Sequence, residues 1–249
     1  MIFLKMFSRA WLLATILVFA GTAVLIRLGI WQLDRLEQRR AFNAQIESMH
    51  ALPALDLNAV QPDDLITQEW RAVRVGGTYD FENQVGLRNQ YYGEQYGYHL
   101  LTPLLFADGK AVLVDRGWIP ADGNSTPIAW RKYDEAGAVT LSGQIRLGQT
   151  KPAFGGVADP ALSPGETRLD LWNNADITRI SLQISYKNLP VYIQPNVDEN
   201  DSEPPIPFQP EVELTEGPHF GYAMQWFTFA AILFFGYPFF LRKQEAEAK

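Results

Sequence analysis

The chain is 249 residues long and 47% hydrophobic, with no cysteine, three histidines and a net charge of -7. Without thiols, disulfides, zinc knuckles and cysteine-ligated iron–sulfur or copper sites are excluded, and the acidic balance argues against nucleic acid as a partner. The hydrophobic average divides unequally: two strongly apolar segments near the ends enclose a polar, Gly- and Pro-punctuated middle of roughly 180 residues, enough to bury its own core.

Residues 1–9 read as a tail carrying Lys5 and Arg9. The uncharged run that follows, from Ala10 to Ile26, outlasts the roughly 7–15 apolar residues of a signal peptide. After Arg27 the apolar pattern resumes as Leu28-Gly29-Ile30-Trp31, so the expectation is an uncleaved transmembrane helix over 10–33. Trp11 and Trp31 lie about 30 Å apart on such a helix, one at each bilayer interface. From Trp31 to Met49 the helical rhythm of Leu33, Leu36, Phe42 and Ile46 continues the anchor as an amphipathic helix that Pro53 ends.

Strand-like segments follow: Trp70–Tyr79, Gln84–Asn89, Tyr98–Phe106, Ala111–Ile119 and Ala138–Leu147, each bounded by Gly, Asn, Asp or Pro. Asp108-Gly109 marks a hairpin, because glycine takes the positive φ that tight turns need. Gly148–Arg168 reads as a loop, Asp176 as the cap of a short helix to about Ser185, and Val191–Gln194 as a final strand. Residues 34–196 thus form an outward-facing β-rich domain. Residues 197–217, acidic and rich in proline, read as an extended, hydrated linker.

The second transmembrane helix is expected over 218–241, with a tail at 242–249. No Lys or Arg lies between Lys187 and Arg242, while Arg242 and Lys243 follow the helix directly, which places both tails in the cytoplasm and the acidic domain outside. The fold class is therefore a membrane protein with two transmembrane helices flanking a mainly β, α+β extramembrane domain.

The start of the second helix is unusually polar. Helical spacing puts His219, Tyr222, Ala223, Trp226 and Ala230 on one face and Gly221, Gln225 and Thr228 on an adjacent one. His219 on an aromatic and small-residue face suits a porphyrin's axial ligand, and it equally suits the aromatic belt of a membrane interface. Arg27, Trp31 and Arg35 recur every four residues where the first anchor leaves the membrane. Such a cationic stripe fits carboxylates such as haem propionates, or snorkels to lipid headgroups. Asp115, Arg116 and His99 fall on strand patterns without a nucleophile–base pair, so no catalytic residue is assigned. Asn124-Ser125-Thr126 and Asn200-Asp201-Ser202 are glycosylation-type triplets, relevant only in a eukaryotic secretory context.

Taken in order, Leu28-Gly29-Ile30-Trp31-Gln32-Leu33-Asp34-Arg35, Gly77-Thr78-Tyr79-Asp80, Gly97-Tyr98-His99 with Thr102-Pro103, Val114-Asp115-Arg116-Gly117-Trp118-Ile119-Pro120, and His219-Phe220-Gly221-Tyr222-Ala223 with Gln225-Trp226-Phe227 resemble the surfeit-locus cytochrome oxidase assembly proteins nearly end to end. The resemblance implies anchor, outward domain, anchor, and a non-enzymatic role in building haem–copper oxidases by assisting haem a delivery to the catalytic subunit. It implies that His219 is the candidate haem and metal ligand and that Trp31 is the tryptophan after the first anchor. Gln225 resembles bacterial members, and Gly217-Pro218 departs from the more polar approach expected before the histidine. Tyr222 and Trp226 are expected to line the macrocycle, and Arg27 and Arg35 to face propionates. The implied partners are the oxidase catalytic subunit, other assembly factors and membrane lipid. With no Arg- and Ser-rich transit pattern before Lys5, the expected location is a bacterial inner membrane with a periplasmic domain, a mature mitochondrial form being the alternative. The alternative is a cofactor-free scaffold that holds oxidase subunits during assembly.

Overall fold

The computed structural model describes residues 6–152, 154–162, 165–197, 202–209 and 212–247. Lys5, Pro210 and the Asn200-Asp201 pair of the second triplet lie outside the described residues. The chain divides into two compact units, Met1–Gln45 with Glu213–Lys249, and Ile46–Val212.

Helix α1 runs Leu12–His50, 39 residues or about 58 Å, so the anchor and its amphipathic continuation form one unbroken element. It frays at Ala51-Leu52, just before Pro53. Among the described residues two helices are long and apolar enough to cross a membrane, α1 and the C-terminal helix over His219–Gln244. They mark a membrane protein in which two apolar helices flank a mainly β domain.

The domain's strands are β1 (Leu55–Asp56), β2 (Ala72–Tyr79), β3 (Val85–Tyr92), β4 (Gln95–Leu105), β5 (Ala111–Pro120), β6 (Ala138–Leu147), β7 (Leu171–Trp172) and β8 (Asn188–Pro195). Short helices α2 (Pro127–Trp130) and α3 (Ile177–Ser181) interrupt them, and α4 (His219–Glu247) follows. The pairing β2–β6–β8–β5–β4 returns to β2 through Thr78–Leu105 and Tyr79–Leu104, which closes a small barrel. Closure removes exposed edges. The expected hairpin at Asp108-Gly109 forms, with Gly109 at φ +80° and the Asp108 carboxylate accepting from the Lys110 amide at 3.0 Å.

Val112 and Val114 of β5 point into the barrel with Val73, Val75, Leu104, Ile145, Val191 and Ile193. Leu113 points outward, where Val85, Leu101 and Trp172 meet Ile177 and Ile180 of α3. Strand β5 is covered on both faces, which is why its sequence lacks apolar–polar alternation. Helix α3 is shorter than expected. Asp176 caps it by accepting from the Arg179 amide at 3.0 Å, and the helix stops at Ser181.

The expectation of a hydrated linker is corrected at Ile206. Ile206 exchanges backbone hydrogen bonds of 2.8 and 2.9 Å with Trp118, and the Phe208 ring meets the His99 ring at 5.7 Å. Gly117 permits this approach: it sits at φ +113°, and a Cβ there would lie 2.2 Å from the Ile206 carbonyl oxygen. Pro205 and Pro207 lack N–H groups, so backbone donation to the barrel falls to Ile206 between them.

Candidate functional site

Helices α1 and α4 pack on one another within the membrane-embedded unit. On α1, Thr15, Thr22, Gly29, Leu36 and Asn43 recur every seven residues and are all buried. On α4, Ala223, Ala230 and Tyr237 do the same. A seven-residue repeat keeps one seam facing the partner in a left-handed pair, and small residues let membrane helices come close. A Cβ on Gly29 would sit 2.6 Å from the Phe227 ring. Lower down, the Thr15 and Tyr237 hydroxyls hydrogen-bond at 2.7 Å, while Phe19 meets Phe234 and Trp11 meets Phe240 edge-on.

The seam ends in a polar clamp. Arg40 grips Glu216 with two hydrogen bonds, 2.7 and 2.9 Å, in the paired geometry that guanidinium and carboxylate favour. Arg39 donates to the carbonyls of Thr215, at 3.0 Å, and Glu213, and Asn43 donates to Thr215 at 3.3 Å. These three side chains hold the segment that leads into α4.

At the first turn of α4, His219 Nδ1 meets Gln32 Oε1 at 2.8 Å. An amide oxygen only accepts, so Nδ1 is the donor, and in the neutral ring Nε2 keeps its lone pair. Gly217, at φ +67°, lies beside that nitrogen: a Cβ there would be 3.6 Å from Nε2. Glycine therefore satisfies the turn and keeps the space next to Nε2 open. A histidine oriented through its other nitrogen is the usual arrangement of a metal-binding imidazole. Among the described residues no three His, Asp or Glu side chains group to hold a metal ion.

Tyr222 and Trp226 share the His219 side of α4, Tyr222 exposed and Trp226 half-buried against Phe229. On α1, Trp31 is exposed with the Arg35 guanidinium 5.7 Å above its ring, and Arg35 also donates to Gln38 at 3.1 Å. Arg27 is paired with Asp34 at 4.0 Å and, at about 100° per residue, lies roughly 140° around the helix from Gln32. The structure thus gathers His219 with Gln32, and Trp31 with Arg35, and pairs Arg27 with Asp34. Gln32, Gly217, Arg39, Arg40 and Asn43 are absent from the sequence-based site. Gln32 carried a signal, a glutamine three residues after a seam glycine inside the Trp31 motif.

In the barrel, His99 Nδ1 and Asp115 Oδ2 form a buried pair at 2.9 Å, and Asp115 also accepts from the Gly117 amide. Burial pushes the His99 pKa down, but the Asp115 charge and hydrogen bond outweigh it and the net shift is upward. Arg116 lies over the rings of Tyr79 and Phe81 and bonds Gln84, the Tyr133 carbonyl and Glu135. Gln84 in turn accepts from the Thr102 hydroxyl at 2.6 Å. These bonds brace the barrel, while the buried Arg116 Nε has no hydrogen-bond partner among the described residues. Asn124 of the first triplet is buried, its amide donating to the Pro120 and Asp122 carbonyls, so it is no free acceptor for a glycan.

The SURF1 family model matches residues 19–231. A SURF1-like protein of Rickettsia bellii is 26% identical over 215 residues, 84% of this chain and 83% of that protein. An uncharacterized SURF1-like protein of Mycobacterium tuberculosis is 26% identical over 238 residues, 92% of this chain and 83% of its own. A SURF1-like protein of Rickettsia conorii is 35% identical over a shorter stretch of 104 residues, 41% of this chain and 42% of that protein. With the model match running from the first anchor through the barrel and into α4, the chain belongs to the SURF1 family, the surfeit-locus cytochrome oxidase assembly proteins that its motifs resemble.

Proposed function

We propose that this protein assists the delivery of haem a to the catalytic subunit of a haem–copper cytochrome c oxidase, with His219 Nε2 as the iron ligand. The observation that carries this reading is the His219–Gln32 hydrogen bond, which fixes the tautomer and leaves Nε2 bare beside Gly217. A lone imidazole beside an aromatic, small-residue helix face fits a haem better than a free metal ion. The group, when bound, supplies the redox-active iron that the oxidase needs. The chain's part is to hold and release it: His219 ligates, Gln32 orients His219, and Tyr222 and Trp226 give the macrocycle an apolar wall that limits water.

Arg35, stacked over Trp31 on the side of α1 nearer Gln32, is the residue we assign to a propionate. Arg27, about 80° around α1 from Arg35 and paired with Asp34, is assigned to lipid headgroups. The partners in this reading are the oxidase catalytic subunit and other assembly factors, in a bacterial inner membrane with both termini cytoplasmic and the barrel periplasmic. The absence of Lys and Arg between Lys187 and Arg242 supports that orientation.

The test is the visible absorption spectrum of full-length protein purified in mild detergent from cells that make haem A, beside His219→Ala. A haem a spectrum in the wild type and its loss in the variant are expected. No haem in either sample would turn the reading toward a cofactor-free scaffold, and an unchanged spectrum would move the ligand elsewhere.

A further inference from the structure

Helix α4 carries two seams, and α1 fills only one. On the other side Gly221, Gln225, Thr228, Ile232 and Phe235 recur at alternating steps of four and three residues, the 3.5-residue period of a left-handed helix pair. All five are exposed, and a Cβ on Gly221 would meet nothing within 4 Å. At 100° per residue, Gln225 lies about 140° around the helix from Ala230, so α1 cannot reach it.

The cost of leaving this seam bare is concentrated at Gln225. Thr228 satisfies its hydroxyl on the Met224 carbonyl of its own helix at 2.7 Å. Gln225 has no such recourse, and among the described residues no hydrogen bond reaches its side chain. It lies six residues into the helix from His219, about 9 Å along the axis, where an amide facing hydrocarbon is unfavourable unless another chain meets it.

We propose that the second seam is a self-association surface, where α4 of one copy packs against α4 of another about a two-fold axis and the two Gln225 amides hydrogen-bond to each other. Three features favour a second copy of this chain. Copies inserted with the same orientation run their α4 helices parallel, so Gln225 faces Gln225 at the same depth. A glutamine amide both donates and accepts, so the two-fold satisfies the pair without any other sequence. The segment from Phe220 to Leu241 is uncharged, so like helices meet without repulsion, and Gly221, one turn away, allows close approach. The proposal rests on α4 crossing a membrane and is independent of the haem reading.

The chain's lack of cysteine makes the test clean, because each introduced thiol is the only one in the molecule. Gly221→Cys, Thr228→Cys and Ile232→Cys variants, oxidised in native membranes, should give covalent dimers of this chain at several times the yield of Phe220→Cys and Phe229→Cys. Adding Gln225→Leu to Thr228→Cys should cut that yield about tenfold, and Gln225→Asn should restore part of it. An intrachain crosslink in a Gly21→Cys, Leu233→Cys chain, whose two positions adjoin in the α1–α4 pair, reports that the Gln225→Leu chain is still folded. His219→Ala should leave the dimer unchanged. Equal yields at seam and flanking positions, or crosslinks from the seam to a different membrane protein, would overturn the proposal.

Discussion

At the scale of single residues, the reading turns on one proton. If Gln32 holds it on Nδ1 of His219, the ligating nitrogen is prepared before any ligand arrives, and the imidazole loses little freedom on binding. Gln32→Leu should then weaken haem retention by about 10–100-fold while leaving insertion intact, measured by Soret titration of the purified protein. Retention equal to the wild type would remove Gln32 from the site. The barrel offers a second residue-scale test. His99 has its pKa raised above 6.5 in the fold, so the His99–Asp115 pair contributes fully below about pH 6.5 and progressively less as pH rises through the folded value. The difference in Tm between wild type and Asp115→Asn should be largest near pH 6 and shrink toward pH 8.5. A difference that grew with pH would contradict the assignment. Neither pairing is legible in the sequence: a histidine on a strand pattern reads as a packed one, and although Gln32 lies inside the Trp31 motif, no spacing rule links it to His219 across the chain.

At the scale of elements, α1 and α4 are two halves of one device. Their lengths and polar flanks were legible because hydrophobic runs and charges are local properties of the chain. Their contact was not, since a seam shows only when two seven-residue repeats are brought together, and on α1 that repeat is Thr, Thr, Gly, Leu and Asn instead of a row of leucines. Gly29 is the position where this contact is least forgiving. Gly29→Leu would drive a side chain into the Phe227 ring and should abolish the intrachain crosslink expected in a Gly21→Cys, Leu233→Cys chain. A crosslink that survives would show that the helices meet elsewhere. The strap at Ile206 was missed for a related reason: proline-rich composition predicts extension, and extension is also what pairing with Trp118 beside Gly117 requires.

For the whole molecule, the sequence supports a β-rich domain between two apolar helices, and it located five of the barrel strands to within a few residues. Barrel closure, through Thr78–Leu105 and Tyr79–Leu104, depends on residues far apart in the chain and carries no local mark. The division of labour follows from the contents of the two units. In the barrel His99 and Asp115 bond each other and Gln84 accepts from Thr102 and Arg116, whereas the helix pair presents a histidine with one nitrogen held and the other bare. The most direct test of that account is cavity rescue. His219→Gly protein, purified in detergent from cells making haem A, should lack the haem a spectrum and regain it when free imidazole is added with haem a. Retention of haem a by the variant without imidazole would contradict ligation by His219.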